Sequence, residues 1–175
     1  MLLAHGLQPE NQETVMMIAI DEFADAAPQL APTVEIVECS STEEIEEIAN
    51  MQSVIWGSDW SWFGDYLKAR MERSEGDTVL YAAKSHGQIV GSARLEVTDN
   101  SCVGGLWGGS VADRWRRQGI YRNLLAVRVE RARDLGLKYL VIDASADSRP
   151  ILQRLGFVEV ATTVPYVWSP IDRLL

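Results

Sequence analysis

Apolar and polar residues along this chain fall into two periods, and the switches between them outline its elements. Val34–Cys39 alternates with a period of two, as a half-buried strand does. Ser41-Thr42-Glu43-Glu44 has the form of a capping box, and Ile45, Ile48, Ala49, Gln52 and Ile55 then follow one helical face up to Gly57. A second helix is predicted over roughly Ser61–Arg73, followed by a turn signal at Gly76-Asp77. Thr78–Ser85 and Gln88–Thr98 read as strands joined by a tight turn at His86-Gly87, with Gly104–Val111 as a third strand of the group. Gly119–Leu135 reads as a helix with apolar Leu124, Val127, Val129 and Ala132, stopped by Gly136. Tyr139–Ala144 is almost wholly apolar, which suits a strand covered on both faces. Ser148–Leu155 is a short helix with Pro150 in its first turn, and Phe157–Thr163 and Val164–Trp168 are two closing strands.

Residues 1–33 stand apart from this pattern. Val15, Ile18, Ala19 and Phe23 lie near helical spacing, so Asn11–Ala26 is predicted as one helix, broken by Pro28 and Pro32. The expected division is therefore an N-terminal extension, 1–33, and a single mixed α/β domain, 34–175.

Composition narrows the class. The chain has 175 residues, 47 % hydrophobic and 23 % charged, which suits one folded domain and excludes wholesale disorder. No apolar run approaches the ~18 residues of a membrane span. Val15–Ile20 is short, flanked by acids, and preceded by no basic residue, unlike a signal peptide. Two cysteines, Cys39 and Cys102, give neither a disulfide framework nor a metal-site spacing, so a cytoplasmic location without a metal is expected. The net charge of −9 is uneven: no Lys or Arg precedes Lys68, whereas Arg114–Arg133 holds seven arginines. An acidic chain with one arginine cluster suits a compact anion, such as a phosphorylated cofactor, better than a long nucleic acid.

That cluster sits in Ser110–Leu125, SVADRWRRQGIYRNLL, where a strand ends at Val111 and Gly119 opens a helix. A helix N-terminus offers unpaired N–H groups and a favourable dipole to an anion. Arg116, Arg117 and Arg122 add charge that suits a diphosphate, although a solvated basic loop fits the same residues. Arg116-Arg117-Gln118-Gly119-Ile120-Tyr121 resembles the pyrophosphate loop of the GCN5-related N-acetyltransferase family, Gln/Arg-x-x-Gly-x-Gly/Ala. Ile151-Leu152-Gln153-Arg154-Leu155-Gly156-Phe157 resembles the short helix and Leu-Gly-Phe ending of that family, and the element order from Val34 matches as well. The resemblance implies a mostly antiparallel central sheet with one splayed strand pair, and acetyl-CoA or another acyl-CoA as donor. It implies that the pantetheine arm lies in the splay near Ser110 and Val111. The loop Arg116, Arg117, Gln118, Gly119, Ile120 and Tyr121 would hold the pyrophosphate, and Ser145 would make a polar contact.

Three positions depart from the family pattern. Tyr121 replaces a small residue, Ser145 stands where many members have Asn, and Leu152 replaces the Tyr that protonates the departing thiolate. A proton acceptor for the amine is also needed. The glycine-rich strand Gly104–Gly109 has no acid, which leaves Glu96 as the candidate base beside the plainer reading of an exposed strand-end carboxylate. His86 reads as a turn residue, and Cys102 has no His partner nearby. The segment Ile55–Phe63 carries Trp56, Trp60, Trp62 and Phe63. These aromatics either pack two helices together or line an acceptor pocket, with Asp59 or Asp65 holding a cationic amine and Trp60 or Trp62 covering it.

The sequence thus points to an N-acetyltransferase that transfers an acetyl group from acetyl-CoA to a primary amine in a ternary complex. A non-catalytic acyl-CoA-binding regulatory module is the alternative. Neither nucleic acid nor membrane is expected as a partner, and a homodimer is compatible with the chain.

Overall fold

The computed structural model describes residues 2–24, 27–73, 78–97 and 101–168. The turn expected at Gly76-Asp77, the Thr98 end of a strand and the Asp25-Ala26 end of the expected N-terminal helix lie outside the described residues. In chain order the elements are β1 (Gln8–Pro9), β2 (Glu13–Ala19), β3 (Val34–Cys39), α1 (Thr42–Trp56), α2 (Ser61–Arg73), β4 (Thr78–Ser85) and β5 (Gln88–Val97). They continue as β6 (Val103–Val111), α3 (Ile120–Asp134), β7 (Tyr139–Ala144), α4 (Arg149–Arg154), β8 (Val158–Thr163) and β9 (Tyr166–Val167).

Local chemistry sets several of these ends. The capping box of α1 is formed: Ser41 Oγ accepts from the Glu44 amide at 3.2 Å, and the Glu44 carboxylate accepts from the Ser41 amide at 3.2 Å. Gly57 ends α1 in the left-handed region at φ 65°. His86 and Gly87, with φ 49° and 76°, make the two-residue hairpin turn between β4 and β5.

The N-terminal segment corrects the sequence reading. Over the described residues 11–24 the expected α-helix is absent; Glu13–Ala19 is strand β2, part of the main sheet rather than an appendage to it. β2 lies between β7 and β8 and pairs antiparallel with both. The run Val15–Ile20 is apolar on both faces, so periodicity alone does not separate helix from strand there. The open slot beside β7 settles it, burying Thr14, Met16 and Ile18.

The seven-stranded sheet has the order β3-β4-β5-β6-β7-β2-β8. All its pairings are antiparallel except β6 with β7, which run parallel. Helices α1 and α2 cover one face, where Ile45, Ile48, Phe63 and Leu67 pack on Leu80 and Ala82. Helix α3 covers the other, where Ile120, Leu124, Leu125 and Val129 are almost completely buried. The fold is a mixed α/β architecture with a mostly antiparallel sheet.

Two irregularities in β6 open the sheet at its centre. β6 and β7 pair only over Val103–Gly105 and Tyr139–Val141, then diverge. A Cβ at Gly104 would lie 2.9 Å from both Leu95 and Leu137, so glycine is what lets the strands meet at the base of the divergence. Further on, Arg94 faces Trp107 and Ser92 faces Ser110, so Gly108 and Gly109 together oppose one residue of β5. This is a β-bulge, with Gly108 at φ 60°.

Candidate functional site

The splay between β6 and β7 opens into a groove of about 1030 Å³ that reaches the N-terminus of α3. Past Gly105 the edge of β6 facing β7 has no strand partner among the described residues, so its backbone N–H and C=O groups face the groove as an extended ligand would need. Ser110, Val111, Arg116, Arg117, Gly119, Ile120, Tyr121 and Ser145, expected from the sequence, all line this groove, as does Trp56. Val111 and Ile120 have their side chains in the core, so they present backbone to it.

The loop itself is held from within. Arg116 Nε donates to the Val111 carbonyl at 3.1 Å, and its guanidinium pairs with Asp113 at 3.0 Å. Arg116 therefore shapes the turn as well as charging it. Arg117 sits at φ 61°, an uncommon conformation for a non-glycine residue, and Gly119 at φ 82° caps α3. Gln118 does not line the groove; its side chain turns back to the Arg114 carbonyl at 3.0 Å.

A segment far away in sequence touches the same helix end. Asn123 Nδ2 donates to the Pro28 carbonyl at 2.8 Å and to the Gly119 carbonyl at 3.1 Å. Pro28 lines the groove, and a Cβ placed on Gly119 would collide with its ring. The crossing from β2 to β3 thus forms part of the wall beside the α3 N-terminus.

On the α1/α2 face, residues of β5 carry polar groups toward the helices. Gln52, 3 % exposed on α1, donates to Ser110 Oγ at 2.6 Å and Ser92 Oγ at 3.2 Å and accepts from Trp56 Nε1 at 2.7 Å. It links the acceptor-side helix to the splayed strand. Arg94 lies 5.3 Å over the Phe63 ring, and its Nη1 reaches the Gly108 bulge.

Glu96, the candidate base, is occupied. Its Oε1 accepts from Arg94 Nε at 2.6 Å and its Oε2 pairs with Arg70 Nη2 at 3.1 Å. Both oxygens are engaged by guanidinium groups, so the geometry makes Glu96 an anchor for two arginines rather than a waiting proton acceptor.

The aromatic segment also divides. Trp60, Trp62, Phe63 and Tyr66 form a ladder with ring centroids 5.3–6.1 Å apart. Trp60 packs on the core beneath α1 and α2, while Trp62 and Trp56 are more than half exposed. Asp59 accepts from the Ser61 amide at 2.8 Å, at the start of α2. Of the proposed acceptor residues Trp56, Asp59, Trp60 and Trp62, only Trp56 lines the groove. Among the described residues, no helix is long and apolar enough to cross a membrane.

The sequence model of a family described as Acetyltransferase (GNAT) domain matches residues 43–166. The chain belongs to the GNAT acetyltransferase family. Among solved structures, this GNAT chain is similar to a GCN5-related N-acetyltransferase from Kribbella flavida, with TM-score 0.66 and 19 % identity over 99 % of this chain and 63 % of that one. It is also similar to AAC(6')-Iy in complex with a CoA bisubstrate analog, with TM-score 0.63 and 19 % identity over 78 % of this chain and 99 % of that one. A predicted acetyltransferase with acetyl-CoA from Clostridium acetobutylicum matches with TM-score 0.62 and 16 % identity, over 73 % of this chain and 91 % of that one. At these identities the likeness shows the fold. The chain spans 63 %, 64 % and 55 % of three larger structures it matches. No match was found among curated proteins.

Several groups in and around the site of this GNAT domain escaped sequence reasoning. Pro28 and Asn123 are 95 positions apart, and no pattern links them. Arg94 and Arg70 belong to different elements and meet only through Glu96. Arg128 did leave a signal: it falls on the apolar face of α3, one turn from Leu124 and from Ala132.

Proposed function

We propose that this GNAT domain transfers an acetyl group from acetyl-CoA to a primary amine of a small molecule or peptide, directly and within a ternary complex. One observation carries the reading: the unpaired edge of β6 leads straight from the bulge at Gly108 to the left-handed glycine that opens α3. A diphosphate on the α3 N-terminus and an extended arm along β6 would use these two features together. The similar structures that hold a CoA analog or acetyl-CoA support the same cofactor here.

In this reading the arm pairs with β6 near Ser110 and Val111, and the thioester reaches the bulge. The amine enters from the α1/α2 face, past Trp56. Its lone pair attacks the thioester carbonyl, the C–N bond forms, the C–S bond breaks, and CoA leaves. Holding the two reactants together supplies much of the acceleration, since oriented reactions gain ~7 kcal/mol or more over free encounter. With Glu96 bound to two arginines, the proton of the attacking amine passes to water.

The test is release of free CoA thiol from acetyl-CoA with a panel of primary amines, alongside calorimetric CoA binding. Amine-dependent thiol release supports the transferase. CoA binding with no release from any amine favours the acyl-CoA-binding module, a reading that the buried Leu152 and the occupied Glu96 also suit.

A further inference from the structure

The two glycines of the β6 bulge are exposed, and each faces a guanidinium. A Cβ on Gly108 would lie 2.8 Å from Arg94 Nη1, so on the α1/α2 face that arm fills the place a side chain would take. A Cβ on Gly109 would lie 3.2 Å from the Tyr121 ring and 3.7 Å from Arg128 Nη2, on the face that α3 covers. Arg128 is fully buried, its Nη2 has no partner among the described residues, and it is close enough to Arg94 to feel its charge. Arg70 joins them from α2 through Glu96. Among the described residues Glu96 is the one carboxylate that pairs with any of these arginines, so the surroundings of the bulge carry excess positive charge.

Arg94 is the member of this group placed to meet a ligand. Glu96 Oε1 accepts from its Nε at 2.6 Å, and its Cζ lies 5.3 Å from the Phe63 ring centroid, so the side chain is fixed. Its Nη1, at the bulge, donates no hydrogen bond among the described residues. Only 14 % of the side chain is exposed, so water solvates it poorly, and a fixed charged donor without an acceptor favours an anion. Of the carboxylates near the covering helices, Glu44 and Glu46 pair with Lys84 and Lys68, and Asp59 caps the start of α2.

We propose that Arg94 binds a carboxylate of the acceptor, and that the acceptors are α-amino acids. The proposal rests on the acetyl-CoA reading above, which puts the thioester at the bulge where Arg94 Nη1 lies. In an α-amino acid a single carbon separates the amine from the carboxylate, so a carboxylate held on Nη1 brings its own amine to the thioester. An amine whose anion is distant, or which has none, gains no such placement. The excess positive charge round the bulge acts in the same direction, favouring an anionic acceptor over a polycationic one. The carboxylate takes no part in bond making. The amine lone pair forms the C–N bond, the C–S bond breaks, and its electron pair stays on sulfur. The extra proton of the amine leaves to water and the thiolate takes one from water, giving an N-acetyl amino acid and CoA thiol.

The test follows release of CoA thiol by the full chain with acetyl-CoA and matched probes: the proteinogenic amino acids, their carboxamides and their decarboxylated amines, with 2-aminoethyl phosphate and spermidine beside them. Rates are compared per free amine. The expected result is at least one amino acid whose kcat/KM exceeds that of its carboxamide and its decarboxylated amine by ~10²-fold. Arg94→Lys keeps a charge beside Glu96 but lacks the planar fork, and is expected to cut that preference at least ~10-fold through the acceptor KM, with the acetyl-CoA KM unchanged. If Arg94→Lys does not fold, Arg94→Gln combined with Glu96→Gln, which orphans no carboxylate, is expected to show the same loss. Carboxamides or decarboxylated amines used as well as the acids, or 2-aminoethyl phosphate or spermidine used better than every amino acid, overturn the proposal and leave the transferase reading standing. So does an Arg94 variant that slows all probes alike, which marks a structural role. CoA binding with no release from any probe overturns both.

Discussion

Replacing Gln52 by Leu tests whether one buried amide joins α1 to the splayed strand. The wild-type side chain makes three hydrogen bonds, to Ser110 Oγ, Ser92 Oγ and Trp56 Nε1. After Gln52→Leu, water can reach Trp56, which is 60 % exposed, and the half-buried Ser110, but not Ser92, which is 1 % exposed. An orphaned buried hydroxyl costs ~1–3 kcal/mol, and each of the other two bonds is worth ~0.5–1.5 kcal/mol net. The extra apolar burial of Leu offsets part of this, which leaves a loss of about 2 kcal/mol. For a chain of this size that corresponds to a Tm lower by ~4–8 °C. Urea unfolding measures the free energy. Adding Ser92→Ala removes the orphaned hydroxyl and should return about half of the loss, a non-additivity that only contacting residues show. A Gln52→Leu variant within about 0.5 kcal/mol of the wild type, or a double variant less stable than the single, would refute the reasoning.

Other perturbations reach the loop, the aromatic wall and the titrating groups. Gly119→Ala places a Cβ at φ 82° against the Pro28 ring, so stability should fall by roughly 1–2 kcal/mol from backbone strain and CoA affinity should drop in calorimetry; unchanged affinity in the folded variant removes this loop from cofactor binding. Trp62→Ala, at an exposed ring, should raise the acceptor KM with little change in Tm if the aromatic ladder meets the acceptor, whereas equal effects on both substrates would make it packing. The Lys84 ammonium and the Ser41 amide hold the Glu44 carboxyl down at about 2, from an ordinary 4.5. Its stabilisation is therefore complete above pH 4.5 and lost as pH falls from there toward 2, so the stability gap between wild type and Glu44→Gln at pH 7 should shrink at pH 3. Burial, with Glu44 nearby, pushes the Cys39 thiol up to about 11, whereas Cys102 is exposed, so an aromatic disulfide reagent at pH 8 should titrate one thiol in the native protein and two in denaturant.

What the sequence determined by itself was whatever local chemistry controls. Ser41 and Glu44 lie three residues apart, so the box that starts α1 is readable from their spacing, as are Gly57 at its end and His86-Gly87 between two strands. The strand–loop–helix around Gly119 is local in the same sense, and it carries the cofactor expectation. Tertiary structure decided the points at which distant segments compete for one position. The apolar run at Val15–Ile20 satisfies helix and strand equally. It becomes β2 because β7 and β8, more than a hundred residues later, leave a slot whose backbone groups need a partner. Glu96 reads as a free carboxylate until Arg70, from helix α2, closes on its second oxygen. Pro28 belongs to an irregular crossing until Asn123 fastens it beside Gly119. Arg128 reads as an ordinary residue of an amphipathic helix, and Tyr121 as part of the loop that carries the cofactor expectation. Only the packing of that helix on the sheet puts an uncompensated cation and a phenol beneath the bulge, because burial and proximity across the fold are not written in the spacing of residues along one element.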